Sequence, residues 1–283
     1  METITTDELE LKRAGFSWRV GRAPVRALAC DALEREGFVN LFSTRSGGVS
    51  PLPAAGALNL AGFDQDAAEN IHENRRRFFA LLEGEWAFSG CWQVHGADVR
   101  VVRDLAAAGS EEERCDAQVT RVPGLLLGVK TADCVPVIIG DPRTGACAGV
   151  HAGWRGTLAE IVPRALERMA AEFGTRPEEV RAAVGPAARA CCYEVGPEVV
   201  EAFAARFTAA ERWFTPTRAG HALADLQRAN AEQLAGAGVA PERIHTLPLC
   251  TICRPELFFS YRRDRPLHGR TGRLLSVVGR RPG

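Results

Sequence analysis

The chain has 283 residues, 46% of them hydrophobic, which is ample for a buried core in one large domain or two smaller ones. Lys+Arg and Asp+Glu both number 35, so the formal charge is zero and no overall field draws the protein to nucleic acid, an acidic polymer or a membrane surface. The polar, acidic N-terminus lacks a signal-peptide pattern, no apolar run approaches a membrane span, and nine cysteines in so long a chain suit reduced thiols in the cytosol better than a disulfide framework.

Residues 1–37 read as a short charged lead and an amphipathic segment. Residues 38–44 read as a strand running into Arg45-Ser46-Gly47-Gly48-Val49-Ser50, where two adjacent glycines allow a tight turn and close backbone approach to a ligand. A long loop at 51–62, rich in Pro, Ala and Gly, contains Leu58-Asn59-Leu60, and long ordered loops are often functional. The spacing predicts a helix over 67–82, with Ile71, Phe78, Phe79 and Leu82 toward the core and Arg75-Arg76-Arg77 toward solvent. Gln93-Val94-His95-Gly96 precedes a strand at 99–102, and Glu111-Glu112-Glu113 marks an exposed loop before Asp116-Ala117-Gln118-Val119-Thr120.

The stretch 130–155 concentrates the chemistry. Cys134 follows Asp133 and opens an apolar run at 135–139; Asp141-Pro142-Arg143-Thr144-Gly145 supplies turn residues; a second apolar run at 146–150 ends at His151. If the two runs pair as neighbouring strands, Cys134 and His151 lie at the same sheet edge. A core-facing helix follows, starting near Thr157 or restarting at Pro163 and ending at Gly174. In the second half, 182–186 reads as a buried strand end, 191–195 as extended, 197–207 and 223–234 as helices, and 244–249 as a strand before Cys250-Thr251-Ile252-Cys253. The last two strands fall at 258–264 and 274–278, around an Arg/His/Gly-rich connection. No linker or composition break divides the chain, which favours one mixed α/β domain with a sheet core and helices outside.

His95, Cys134 and His151 make a His₂Cys set, and three protein ligands with a fourth position open is the arrangement of a catalytic zinc site. Their spacing matches no short zinc signature, so buried structural Cys and His compete with that reading. Blue copper uses the same donors but adds an axial methionine, and the chain has only Met1 and Met169; a multi-copper site needs clustered histidines, and only six are present. Cys191, Cys192, Cys250 and Cys253 could form a second site, but adjacent cysteines rarely chelate as a pair, and all four read first as buried or semi-buried thiols.

The segments STRSGGVS with LNL (43–50, 58–60), QVHGADV (93–99), DAQVT (116–120), KTADCVPV (130–137), GVHAGWRGT (149–157), CCYEVG (191–196), CTICRPELFFSYRRD (250–264) and TGR (271–273) resemble, in the same order, the bacterial family long labelled polyphenol oxidase or laccase-domain. Its members are better described as purine nucleoside phosphorylases with adenosine deaminase activity. The resemblance covers nearly all of the chain beyond about residue 35, which divides it into a lead segment at 1–35 packed on a single domain at 36–283. It implies zinc on His95, Cys134 and His151, and a layered α/β fold like that of a cysteine deamidase of the cytotoxic necrotizing factor type. It further implies a purine nucleoside substrate such as adenosine, inosine, guanosine or methylthioadenosine, with phosphate as second reactant.

Phosphorolysis needs a cationic cradle for phosphate and groups that fix the ribose. Arg45 beside Gly47-Gly48 is the leading phosphate ligand, with Arg262, Arg263, Lys130 and Arg155 next; Asn59 could hold a ribose hydroxyl. For deamination a carboxylate must move protons, and Asp133 is a candidate unless it orients a neighbour instead, with Tyr193 and Glu194 behind it. Without metal, Cys134 as nucleophile and His151 as base would make a cysteine hydrolase, an activity that some relatives suggest in editing cell-wall precursor peptides. A zinc-stabilised adaptor is the non-enzymatic alternative and would need Cys115 or Cys147 as fourth ligand.

Overall fold

The computed structural model describes residues 6–21, 24–52, 55–109 and 111–282. The first five residues of the lead and residues 53–54 of the 51–62 loop lie outside the described residues. Helix α1 (Thr6–Arg13) leads into strands β1 (Phe16–Val20) and β2 (Arg26–Cys30), helix α2 (Asp31–Arg35), and strands β3 (Phe38–Ser43) and β4 (Ser46–Ser50). Next come α3 (Ala68–Phe79), β5 (Ala87–Ser89), β6 (Val99–Val101), β7 (Ala117–Thr120) and β8 (Leu125–Thr131). The hairpin β9 (Val135–Gly140) and β10 (Cys147–Ala152) is followed by α4 (Trp154–Leu158), α5 (Ile161–Phe173) and β11 (Arg181–Val184). The chain finishes with β12 (Glu194–Val195), α6 (Pro197–Arg206), β13 (Phe214–Pro216), β14 (Ala222–Ala224), α7 (Leu226–Gly236), β15 (Ile244–Thr246), α8 (Tyr261–His268) and β16 (Leu274–Arg280).

Two six-stranded sheets, ordered β1-β2-β3-β16-β8-β5 and β15-β11-β9-β10-β7-β6, lie face to face, and β12-β14-β13 form a small third sheet. The two-residue alternation of a strand sorts side chains between layers. On β16, Leu274 and Val278 join the core between the sheets, whereas Leu275 and Val277 pack with Phe78 of α3 on the outer face. On β9, Ile138 faces the first sheet while Val135, Val137 and Ile139 face α5 and α7. The result is a single mixed α/β domain in four layers, helix, sheet, sheet and helices. Residues 16–30, in the lead segment, supply two strands to the first sheet. Among the described residues no helix is long and apolar enough to cross a membrane.

One local alternative is resolved and three expectations are corrected. The helix after His151 is two helices: Glu160 takes a left-handed φ of 59°, and α5 restarts so that Pro163, which has no N–H, falls in a first turn where none is needed. Residues 261–264 are helical, not extended, because Ser260 caps α8: its hydroxyl accepts from the Arg263 amide at 3.1 Å, and Asp264 accepts from the Ser260 amide at 3.0 Å. Arg75 is not on the solvated face; its side chain is 12% exposed, ion-paired with Glu111 and donating to the Leu60 carbonyl, and this takes Glu111 out of the expected exposed loop. Residues 191–192 sit in a turn, with strand pairing beginning only at Glu194, and the four cysteines expected to be buried or semi-buried include Cys191 and Cys253, which are exposed.

Candidate metal centre

The hairpin pairs antiparallel with His151 opposite Pro136 and Ala152 opposite Val135, so Cys134, one residue before β9, lies beside the end of β10. His95 reaches the same edge from the segment between β5 and β6. One donor atom from each of His95, Cys134 and His151 lies within 4.8 Å of the others. Cys134 Sγ is 3.9 Å from His95 Nε2, and the two imidazole rings are 4.8 Å apart. His151 is buried, Cys134 half-buried and His95 exposed, which leaves one side of the cluster open to solvent.

Asp116, which the motif reading did not single out, holds both histidines. It accepts from His151 Nδ1 at 2.7 Å, turning Nε2 to the cluster, and from the backbone amides of Val94, His95 and Gly96 at 3.1, 2.9 and 2.7 Å. Those amides converge because His95 adopts a φ of 59°, an uncommon backbone state that here presents three donors to one carboxylate. Burial alone would raise the Asp116 carboxyl, but His151 and the amides hold it below its usual value. The Gln93 side chain bonds the Lys130 carbonyl and amide at 2.7 and 2.8 Å, fixing the His95 segment against β8. Gly153, which begins α4, admits the cluster: a Cβ there would lie 3.0 Å from Cys134 Sγ and 3.1 Å from His95.

Burial opposes charge on Cys134, yet its thiol is drawn down to about 6 by His151 and His95. Burial likewise opposes charge on His151, which Cys134 and Asp116 raise to about 9. Each of the two thus favours the charged form of the other. A soft divalent cation fits this donor set, one thiolate and two imidazoles with a carboxylate behind one of them, and the open side supplies a fourth position. Neither Cys115 nor Cys147 belongs to the cluster; Cys147 is fully buried between the sheets, and burial pushes its thiol up to about 12.

The other candidate residues divide sharply. Asp133, at an unusual φ of 90°, sits on the N-terminus of α8, accepting from the hydroxyls of Thr251 and Ser260 at 2.6 and 2.9 Å and from the Arg262 amide at 2.7 Å. With its oxygens so engaged, it has the geometry of the positioning alternative. Arg263 spends its donors on Asp264 and on the carbonyls of Thr251, Ile252 and Phe258, and Lys130 pairs with Glu111 at 2.8 Å. Glu194 is paired with Arg218 at 2.9 Å. Tyr193 is half-buried, its phenol pushed up to about 12 by burial and by Cys134, with the Arg262 guanidinium 4.9 Å above the ring. Trp154, Tyr193 and Arg262 border an open cleft of about 410 Å³. Arg155, exposed, stacks on Trp154 at 4.2 Å.

Arg45 stacks on Phe259 at 5.0 Å and donates to the Pro255 carbonyl. Asn59 is fully buried; its side-chain oxygen accepts from the Arg273 amide at 2.8 Å, while Leu58 N bonds the Arg45 carbonyl and Leu60 N the Arg273 carbonyl. The LNL segment thus bonds the backbones of both Arg45 and Arg273, which joins three separated motifs. Arg273 was missed. Its guanidinium makes long contacts of 3.3 and 3.4 Å to carbonyls of its own turn and lies 6.0 Å from the Tyr261 ring; its pKa is lowered by burial, and it feels the charges of Asp64 and Cys134.

Fold and site together define a layered α/β protein carrying one solvent-facing cluster of two histidines and a cysteine. Residues 39–281 match the family profile described as multi-copper polyphenol oxidoreductase laccase, and the chain belongs to that family. A protein of Deinococcus radiodurans named purine nucleoside phosphorylase is 43% identical over 243 residues, covering 84% of this chain and 87% of that one. Purine nucleoside phosphorylase YfiH of Escherichia coli is 38% identical over 245 residues, covering 86% and 94%. The crystal structure of YlmD from Geobacillus stearothermophilus superposes with a TM-score of 0.85 at 33% identity, covering 95% of this chain and 99% of that chain.

Proposed function

We propose that the protein is a zinc-dependent purine nucleoside phosphorylase, converting a nucleoside such as adenosine, inosine or guanosine and phosphate to free base and ribose 1-phosphate, and methylthioadenosine to adenine and 5-methylthioribose 1-phosphate. The observation that carries this reading is the convergence of His95, Cys134 and His151 on one open point, with Asp116 orienting the histidines, in a chain whose relatives are named for that activity. Zinc, when bound, supplies Lewis acidity at the open position. Copper is less suited: the cluster gathers two of the six histidines, and Met169 is packed in the core beneath the second sheet rather than offered as an axial ligand.

The chain's own groups then divide the work. Arg273 and Arg45, tied together by the LNL segment, present partly desolvated guanidinium groups to phosphate, whose charge would replace the solvent they have lost. Tyr193 and Trp154 supply flat surfaces to a purine, and Arg262 closes over Tyr193. Asn59 acts through the Arg273 backbone rather than on a ribose hydroxyl. Adenosine deamination is the secondary activity in this reading. Asp133, Glu194 and Asp116 are all engaged, so its proton carrier is not one of these carboxylates in the arrangement described.

Incubation of the metal-quantified protein with adenosine, inosine and methylthioadenosine, with and without phosphate, tests the proposal. Free base and the corresponding sugar 1-phosphate appear only with phosphate and vanish in Cys134→Ala; inosine from adenosine adds the deaminase. A zinc-loaded protein that turns over no nucleoside rejects the phosphorylase. Turnover of amides by the chelated protein, with Cys134 as nucleophile, establishes the hydrolase reading instead.

A further inference from the structure

A second cluster lies on two turns at the surface. Cys191 and Cys192 occupy the turn before β12; Cys250 makes an isolated bridge to Ala187, and Cys253 closes the turn that follows. All four sulfurs lie within 4.8 Å of one another, with Cys191 and Cys192 at 3.3 and 2.7 Å from Cys253. Adjacent cysteines in a strand would point to opposite faces, but in this turn, closed by the Cys192 and Tyr193 amides on the Arg189 carbonyl, both reach the same point.

We infer that Cys191, Cys192, Cys250 and Cys253 form a closed structural site for one soft divalent cation such as zinc. Tetrahedral zinc with sulfur at ≈ 2.3 Å places its four ligands about 3.8 Å apart, a spacing that the observed separations bracket and reach with changes of about 1 Å. The Cys250-x-x-Cys253 spacing is that of one half of such a site. Four thiolates complete a tetrahedron, so no coordination position remains for substrate, and the role is to staple.

What it staples is the wall of the first site. Thr251, between the two cysteines of the second turn, donates to Asp133, the neighbour of Cys134, and its amide bonds the Ala187 carbonyl at 3.0 Å. The Ala188 amide bonds the Asp133 carbonyl at 2.9 Å. Tyr193, next to Cys192, lines the cleft. Joining the turns by their sulfurs fixes Asp133 and Tyr193 relative to each other.

The test is metal quantification and anaerobic cobalt(II) titration of the full-length reduced protein, beside Cys134→Ala and the double variant Cys191→Ser/Cys253→Ser. Two equivalents of zinc are expected in the parent and one in each variant. The intense cobalt–tetrathiolate charge-transfer band should persist in Cys134→Ala and disappear in the double variant. Should that variant fail to fold, the parent spectrum alone decides. The inference is overturned if the parent binds one equivalent that Cys134→Ala abolishes, if no tetrathiolate band forms, or if mass spectrometry finds a Cys192–Cys253 disulfide in the zinc-replete reduced protein. None of these readouts depends on nucleoside turnover.

Discussion

The molecule carries two sulfur-bearing clusters within one domain, built in opposite ways. His95, Cys134 and His151 are set on a sheet edge, where the β9–β10 register places two of the three and a buried carboxylate aims the histidines. Cys191, Cys192, Cys250 and Cys253 are set on two surface turns, with all four sulfurs within 4.8 Å of one another. Mixed nitrogen and sulfur donors with one side exposed leave room for a reactant; four sulfurs from two turns leave none. In the proposed readings the same element of chemistry, a thiolate on a cation, would serve reaction in one place and cohesion in the other, and the donor count separates them.

The largest effects should come from exchanging what is lost. Cys134→Ala is expected to take phosphorolysis below detection while leaving the fold stable. Cys191→Ser/Cys253→Ser should retain phosphorolysis at low temperature but lower stability, with a loss of about 3 kcal/mol appearing as a fall of roughly 6–12 °C in Tm for a chain of this size. Equal losses of activity in the two variants, with Tm unchanged in both, would erase the distinction.

Next in size is Asp116→Asn. The isostere keeps the volume but weakens the carboxylate's hold on His151 and on three amides, and an outer partner of this kind is worth about 10–100-fold in metal affinity. Competition with a chelator should show that loss at the His₂Cys cluster alone, with the tetrathiolate cobalt band unaltered. Arg273→Ala should act on neither metal. Its expected signature is KM for phosphate raised about 10-fold, roughly the 1.4 kcal/mol of one charge-assisted hydrogen bond, with KM for the nucleoside little changed. A change in metal content instead would make Arg273 a structural residue.

Elements specified by nearby residues were legible in the sequence. The 135–139 and 146–150 runs with a Pro/Gly turn between them give the hairpin, and Gly174 ends α5 with a left-handed φ of 69°. What escaped is set by distant partners. Asp116 meets residues 20 to 35 positions away, and nothing local to DAQVT marks it as the group that aims two histidines. Arg75 looks like part of a solvated arginine run until Glu111, 36 positions on, folds over it. The capping of α8 was locally encoded in Ser260 and Asp264 but masked by the aromatic Phe258-Phe259 that precedes them, whose burial between the sheets has the same hydrophobic signature as a strand. The cysteine pair at 191–192 reads as extended in the sequence, whereas the chain turns there and brings both sulfurs to Cys253.

The smallest effect is the most informative about how the two clusters communicate. Thr251 lies in the turn between Cys250 and Cys253 and hydrogen-bonds Asp133 at 2.6 Å, so it is a direct link from that turn to the neighbour of Cys134. Thr251→Val keeps the shape and removes the hydroxyl, while Ser260 and the Arg262 amide still hold the other carboxylate oxygen. The cost should be about 0.5–1.5 kcal/mol of stability, with both metals retained. If the staple acts on the reaction through this contact, removing the tetrathiolate metal should raise KM for the nucleoside several-fold in the parent and much less in Thr251→Val, because the link is already cut. A double-mutant cycle with Cys191→Ser/Cys253→Ser measures that difference directly. Additive effects would mean that the cluster braces the protein without reaching the site through Asp133, leaving Tyr193 and the Ala188–Asp133 backbone contact as the remaining connections.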